Sequence, residues 1–325
     1  MRVDGELSRG KAPPVSGQFI EDVIRLTSSV PDGQRLVESW EYSFDQPGVA
    51  RFRGHVFREA GGWALTLRVV PMQVPSFQEL RLPAVVKSLA VPGPGLVLVT
   101  GPTGSGKSTT MAAMMKHLAT VQTIHIVTIE DPIEYRLVDV PSCISQREVG
   151  RDTASYADAL RAGLREDPDA LFLGEIRDAA SLEVALQAAE TGHAVFSTFH
   201  TGSALKTIQR LLSFYPPADQ AMARATLADV LRGTISQRLV PRRGSRARVL
   251  CTEVMINNYA VKEAIRDPVR TPSVLAIIER SADQLMHSFD QSLGQLVRDQ
   301  IVASDVAARY ATSPADFRRS LGLVG

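Results

Sequence analysis

Cysteine is nearly absent from this chain of 325 residues: Cys143 and Cys251 are the two, far apart in sequence and beside apolar neighbours, with no CxxC pair. That excludes a disulfide scaffold and a cysteine-held structural zinc, and both thiols are expected to be buried as small hydrophobes. Long apolar runs are missing as well. No stretch approaches the ~18 residues that span a bilayer, and the N-terminus has no signal-peptide core. A cytoplasmic protein is expected, with any membrane connection made through partners. Charge of one sign is lacking too, since 36 Lys and Arg against 35 Asp and Glu leave a formal net charge of +1. Nothing global draws such a chain to nucleic acid or acidic lipid, and no direct nucleic-acid partner is expected. The one basic cluster, RRGSRAR at 242–248, has no interleaved aromatics, so it reads as a solvated hairpin tip. Repeats and low-complexity tracts are absent.

What the chain does have is GLVLVTGPTGSGKST at 95–109. The apolar run 96–99 reads as a buried strand, followed by a turn with Gly101, Gly104 and Gly106 and then by Lys107, Ser108 and Thr109. This is the phosphate-binding pattern GxxxxGK[ST]. Its glycines let successive backbone N–H groups from Thr103, Gly104, Ser105 and Gly106 point at phosphate oxygens. Lys107 is placed to reach the β- and γ-phosphates, and the Ser108 hydroxyl to ligate Mg2+. The helix that follows turns its positive end toward the same anion, and its stripe Met111, Met114, Met115 and Leu118 is core. The chain is expected to bind a nucleoside triphosphate.

Length argues for two domains, and 44% apolar with 22% charged residues is ordinary for a globular protein. Residues 1–72 read as a small α+β unit: a helix at 19–29, then strands at 40–44, 49–57 and 63–70 joined by turns. Arg51, Arg53, Arg58 and Arg68 lie on these strands, by themselves a solvated sheet face. Prolines 71, 75, 83, 92 and 94 mark 73–92 as a linker with one short helix, 83–89. From 93 to 325 apolar strands alternate with helical patterns, the signature of an α/β fold with a mostly parallel sheet. Thr153 or Ser155 is expected to cap one helix and Ser181 the next, which Gly192 stops. Residues 222–239 read as helix, 249–255 as a strand, and 261–266, 272–279 and 288–299 as further helices.

Ligands in open α/β sheets sit beyond the carboxyl ends of the strands. Strand 123–129 ends in Glu130, Asp131 and Glu134; strand 170–173 in Glu175 and Arg177; strand 194–199 in His200. Glu175, closing an apolar strand, fits the position that holds the metal and its waters, and Glu134 is a candidate for activating the attacking water. Glu130 and Asp131 are candidates for positioning these groups. His200 is placed to sense the γ-phosphate. His193 stands seven residues earlier, roughly 23 Å away along an extended strand at ~3.3 Å per residue, so the two cannot share an ion. It reads as a structural or intersubunit contact.

The order GPTGSGKSTT, TIEDPIEY, LREDPDALFLGEIRD and AAETGHAVFSTFHT resembles the secretion ATPases of type II and type IV pilus systems. QREVGRDTASYADALRAGLREDPD and ISQRLV narrow the resemblance to the pilus retraction group, PilT and PilU. It covers nearly the whole chain. The resemblance implies a homo-hexamer whose subunits pair a PAS-like N-terminal domain with a RecA-like ATPase domain, binding ATP and Mg2+ against the neighbouring subunit. It implies phosphate and magnesium binding by Lys107, Ser108 and Thr109, with Glu134 and Glu175 as catalytic pair. His193 and His200 fall in the family's His box, and Arg53 and Arg68 match arginines that reach the nucleotide. The implied function is ATP-driven retraction of a type IV pilus, through an inner-membrane platform protein and alongside a paralogous retraction ATPase. An accessory PilU-like ring or an assembly or secretion ATPase are the alternatives. Two stretches depart from the pattern. The chain opens at Arg2-Val3, matching the family's second N-terminal strand, so either a mis-set start or an incomplete N-terminal sheet is expected. The AIRNLIRE motif appears only as AVKEAIRD at 260–267, and MHSFDQ at 286–291 leans toward PilU-like chains.

Overall fold

The computed structural model describes residues 2–3, 6–7, 15–27, 39–70, 73–138 and 141–322. They fall into two compact units, Met1–Val74 with Pro132–Arg136, and Pro75–Asp131 with Leu137–Gly325.

In the first unit, β1 (Arg2–Val3) pairs with β2 (Glu6–Leu7). Helix α1 (Gly17–Thr27) follows, and positions 28–29 of the expected helix lie outside the described residues. Strands β3 (Ser39–Gln46), β4 (Ala50–Glu59) and β5 (Gly62–Val70) form an antiparallel sheet in that order. Side chains alternate between the faces of a strand, and cross-strand partners share a face. The register therefore collects Trp40, Tyr42, Phe44, Phe52 and Val56 on one side and Asp45, Arg51, Arg53 and Arg68 on the other. On the aromatic side Trp40 meets Trp63 edge to face, and Thr27 Oγ1 lies 2.8 Å from the Tyr42 hydroxyl, tying α1 to β3. One expectation is corrected here. Arg51 is not solvated: it is 6% exposed and pairs with Asp45 at 3.2 Å. Arg58 is exposed, as expected, on the aromatic side, where it lies over the Trp63 ring.

The second unit is an α/β fold around a seven-stranded sheet, the class expected from the alternating pattern. Helix α2 (Ala84–Ala90), within the stretch read as a linker, buries Val85, Val86 and Leu89 against Val97, Val99 and Met115. Strand β6 (Gly95–Thr100) is buried at every position and leads into α3 (Lys107–Val121). Then come β7 (His125–Glu130), β8 (Cys143–Glu148), α4 (Tyr156–Gly163), β9 (Ala170–Leu173), α5 (Ala179–Glu190), β10 (Ala194–Phe199) and α6 (Ala204–Leu212). Helix α7 (Gln220–Val230), the hairpin β11 (Leu231–Pro241) and β12 (Arg248–Ile256), and α8 (Tyr259–Arg266) follow. Helices α9 (Val274–Arg280), α10 (Phe289–Arg298), α11 (Ser304–Tyr310) and α12 (Pro314–Ser320) complete it. The sheet order is β12-β11-β6-β10-β9-β7-β8, all parallel except β12. Parallel strands covered by helices on both faces are buried on both and mainly apolar, and β6, β9 and β10 are buried at every position. Met111, Met114, Met115 and Leu118 of α3 are fully buried on one face, and α4 to α9 supply the core on the other.

Several local expectations give way to tertiary context. Residues 222–239 are not one helix: α7 stops at Val230, and 231–241 is a strand that pairs with both β6 and β12. Ser181 is not the cap of α5. Asp178 is, and Ser181 closes the capping box from the third helical position. Ser155 rather than Thr153 caps α4. Cys251 is buried, but Cys143 is exposed, because it begins the edge strand β8. Among the described residues no helix is long and apolar enough to cross a membrane.

Candidate nucleotide site

Register sets the site. Phe199 pairs with Thr100, and Leu173 with both Ser197 and Ile129. The residues that follow β6, β10, β9 and β7 therefore emerge along one edge of the sheet: the phosphate loop, His200, Glu175, and Glu130 with Asp131.

The loop is built by backbone geometry that side chains would spoil. Gly101 has φ +145, and a Cβ there would sit 2.5 Å from Ser105 Oγ and 2.6 Å from the Gln237 carbonyl oxygen. Gly106, the N-cap of α3, is left-handed at φ 92. Beyond it Lys107 is 7% exposed and its Nζ donates to the carbonyl oxygens of Gly101 at 2.9 Å and Pro102 at 3.1 Å. Thr103 and Gly104 are exposed, while Ser108 and Thr109 are half-buried on the first turn of α3. Ser105 Oγ is buried without a hydrogen-bond partner, which leaves bonding capacity inside the loop.

Five charged or ionisable groups then form a continuous chain across the strand ends. Arg177 Nη1 donates to Asp131 at 3.1 Å, and its Nε to Glu175. The other Glu175 oxygen lies 2.9 Å from His200 Nε2, and His200 Nδ1 lies 3.5 Å from Lys107 Nζ. Burial, then the positive charges of Lys107 and Arg177, hold the His200 imidazole below its ordinary range. At neutral pH the ring is thus uncharged. With Nε2–H donating to Glu175, Nδ1 is left as an acceptor facing Lys107 and the phosphate loop. Glu175, with a side chain 17% exposed, is held by two donors.

The remaining expected residues divide by location. Glu130 accepts from Thr128 Oγ1 at 2.7 Å and Gln146 Nε2 at 3.1 Å, so it secures the end of β7. His193 precedes β10, where its Nδ1 lies 3.1 Å from the Ala188 carbonyl and 3.2 Å from Thr191 Oγ1, a structural contact closing α5. Glu134 is half-buried within Pro132–Arg136, in the first unit. Arg53 and Arg68, also in the first unit, stand opposite one another across β4 and β5. Arg53 Nη2 binds Glu41 at 2.5 Å, whereas Arg68 is exposed.

Sequence reasoning missed the strand that backs the loop. On β11, Gln237 Nε2 donates to Thr110 Oγ1 at 2.7 Å, and Ser236 Oγ accepts from Thr100 Oγ1 at 2.9 Å, all four residues being buried. Thr234, Ser236 and Gln237 are three polar residues that this strand buries, between Arg232 and Arg238, so no apolar run marked them in the sequence. The hairpin 242–248 is exposed, as expected. Arg242 and Arg248 line a cavity of about 290 Å³ together with Ser105, Gly106, Thr109 and Thr110.

A family model described as type II/IV secretion system protein matches residues 64–298. The twitching motility protein of Neisseria gonorrhoeae is 40% identical over 315 residues, covering 96% of this chain and 83% of its own length. The type IV pilus retraction ATPase PilT of Pseudomonas aeruginosa is 39% identical over 320 residues, covering 98% and 92%. A crystal structure of the pilus retraction motor PilT with bound ADP superposes with a TM-score of 0.88 at 40% identity, covering 98% of this chain and 91% of that one.

Proposed function

The chain belongs to the type II/IV secretion system protein family, and on that premise we propose that it hydrolyses ATP to drive retraction of a type IV pilus. The observation that carries the reading is the chain Asp131–Arg177–Glu175–His200–Lys107, which joins the metal side of the site to the phosphate loop. The loop and the start of α3 bind the phosphates, Lys107 neutralises the β- and γ-oxygens, and the adjoining cavity takes the nucleoside. Ser108 and Glu175 are hard oxygen donors suited to Mg2+, which ordinarily takes one or two protein ligands and completes its shell with phosphate and water. When bound, that ion offsets charge building on the transferred phosphoryl group. Glu134 orients and deprotonates the attacking water. His200, uncharged and bonded to Glu175, reports whether the γ-phosphate is present.

The active assembly is a homo-hexamer in which Arg53 and Arg68 of one subunit complete the site of the next. The ring works from the cytoplasmic side on an inner-membrane platform protein, with a paralogous ATPase as a further partner. Lys107, Glu134 and Glu175 are all present, which favours a motor with its own turnover over a passive ring. The direct test is twofold. The purified chain should hydrolyse ATP unaided, and cells lacking it should keep pili that no longer retract. Normal retraction in the deletion strain would sink the assignment.

The arginines make a separate prediction. Arg68→Ala should lower turnover by at least about a hundredfold, the lower reach of a finger supplied by a neighbour, while nucleotide binding stays within about threefold. Arg53→Ala should lower it less, because part of that guanidinium is engaged by Glu41. Rates equal to wild type in both, measured on the assembled ring, would remove the finger role.

A further inference from the structure

One carboxylate inside the second unit has no part in the scheme above. Glu253 lies on β12 and is 2% exposed, in a strand whose neighbours Cys251, Val254 and Met255 are buried and apolar. Burying a carboxylate costs several kcal/mol unless it is well bonded, so its partner matters. Glu253 Oε1 accepts from the backbone N–H of Ala204 at 2.7 Å.

Ala204 is the first residue of α6, and its N–H has no partner within the helix. The side chain of the N-cap Ser203 is committed elsewhere, to Lys206 N–H. Counting back from Ala204, the chain passes Ser203, Gly202 and Thr201 to His200. Among the described residues, the other hydrogen bonds of 201–204 stay within that segment and the first turn of α6: Thr201 Oγ1 with Thr207 Oγ1 at 2.6 Å, and Ser203 with Lys206 and Thr207. A Cβ on Gly202 would meet nothing within 4 Å. The Glu253 bond thus pins the start of α6, whose Ala204 is buried in the core, to β12. It also comes from the same hairpin whose opposite strand face, at Gln237, holds the start of α3.

We propose that Glu253 is a positioning residue for the nucleotide site, anchoring the first turn of α6 so that His200 stays between Glu175 and Lys107. The inference rests on the ATPase reading for its consequence, though not for its geometry. Burial pushes the Glu253 carboxyl up to about 7, against the opposing effects of the Ala204 N–H and Arg238, and Asp290 and Glu279 add to the rise. These groups face it from β11, α10 and α9. Above that pH the ionised carboxylate makes a charge-assisted bond to the helix N-terminus; below it the bond weakens.

Two variants and two readouts test the role. Hydrogen exchange needs no turnover: Glu253→Leu should speed exchange across 200–207 by about tenfold or more while α3 keeps its protection. Turnover should then fall about tenfold in kcat, with KM for ATP within about twofold, because the phosphate loop is untouched. Glu253→Gln keeps an acceptor for Ala204 and should recover most of the exchange protection. It should also remove a rise of kcat around pH of about 7, which is expected of the unmodified chain as Glu253 ionises. If the leucine variant does not fold, the glutamine variant decides alone. Unchanged exchange with a wild-type pH profile overturns the inference, and so does equal loss of protection in α3 and of nucleotide binding. A chain without any turnover would count against the proposed activity instead, and the exchange result would still judge Glu253.

Discussion

Lys107→Ala should stop the motor: ATP turnover is expected to fall by at least about a hundredfold, the scale on which loss of one preorganised charge partner acts. The ammonium is 7% exposed and already held against the loop by the Gly101 and Pro102 carbonyls, so it meets phosphate with little reorganisation. Alanine leaves the backbone N–H groups and the end of α3 in place. Weaker binding should therefore accompany a much larger loss of rate, since charge on the transferred group is greatest away from the ground state. The fold should survive, because the change removes a buried charge and forms only a small cavity. Phosphate release by the purified variant is the measurement, with thermal melting as control. A rate within about threefold of wild type would reject the assigned role of the loop.

The second large effect is expected at Glu175. Substitution by glutamine keeps the shape and removes the charge that sits between Arg177 and His200. With two donors left facing a neutral amide, kcat should fall about a hundredfold or more while nucleotide still binds. Glu134→Gln should also slow turnover, but the two variants should part over metal. If Glu175 helps hold Mg2+, raising its concentration recovers part of the rate in Glu175→Gln and none in Glu134→Gln. Identical Mg2+ dependence in both would assign the metal role elsewhere, and chelation of the ion should silence the unmodified chain.

The parts of this site that could be read in advance share one property: they are local. GPTGSGKST carries its chemistry in consecutive residues, and Glu175 and His200 are marked by the apolar strands they terminate. Strand β11 was read as helix because LADVLRGTISQRLV spaces its apolar residues ambiguously, and no turn residue separates it from α7. What makes it a strand is pairing to β6 and β12, more than a hundred positions away for the former, which outweighs local preference. Glu253 went unnoticed for the related reason that its partner is the backbone of another element. A single acid inside VLCTEVMI is nevertheless a signal, since an acid in a buried strand must be paired. Arg51 and Cys143 were misjudged in opposite directions, one because Asp45 covers it across the sheet, the other because the order of strands, invisible in sequence, puts β8 at the edge.

The junction at Val230 has a mechanical meaning. Loops are where a protein yields, and most helices here are separated from the sheet by one. Helix α7 instead runs straight into β11, with only the bulge beside Leu231 between rod and ribbon. A push on α7, or on α8 packed beside it, has little slack to take up before it reaches the strand that backs the phosphate loop. In a machine that turns chemistry into pull, this is a stiff linkage, and it sets the α7–α8 face and the nucleotide at the two ends of one lever.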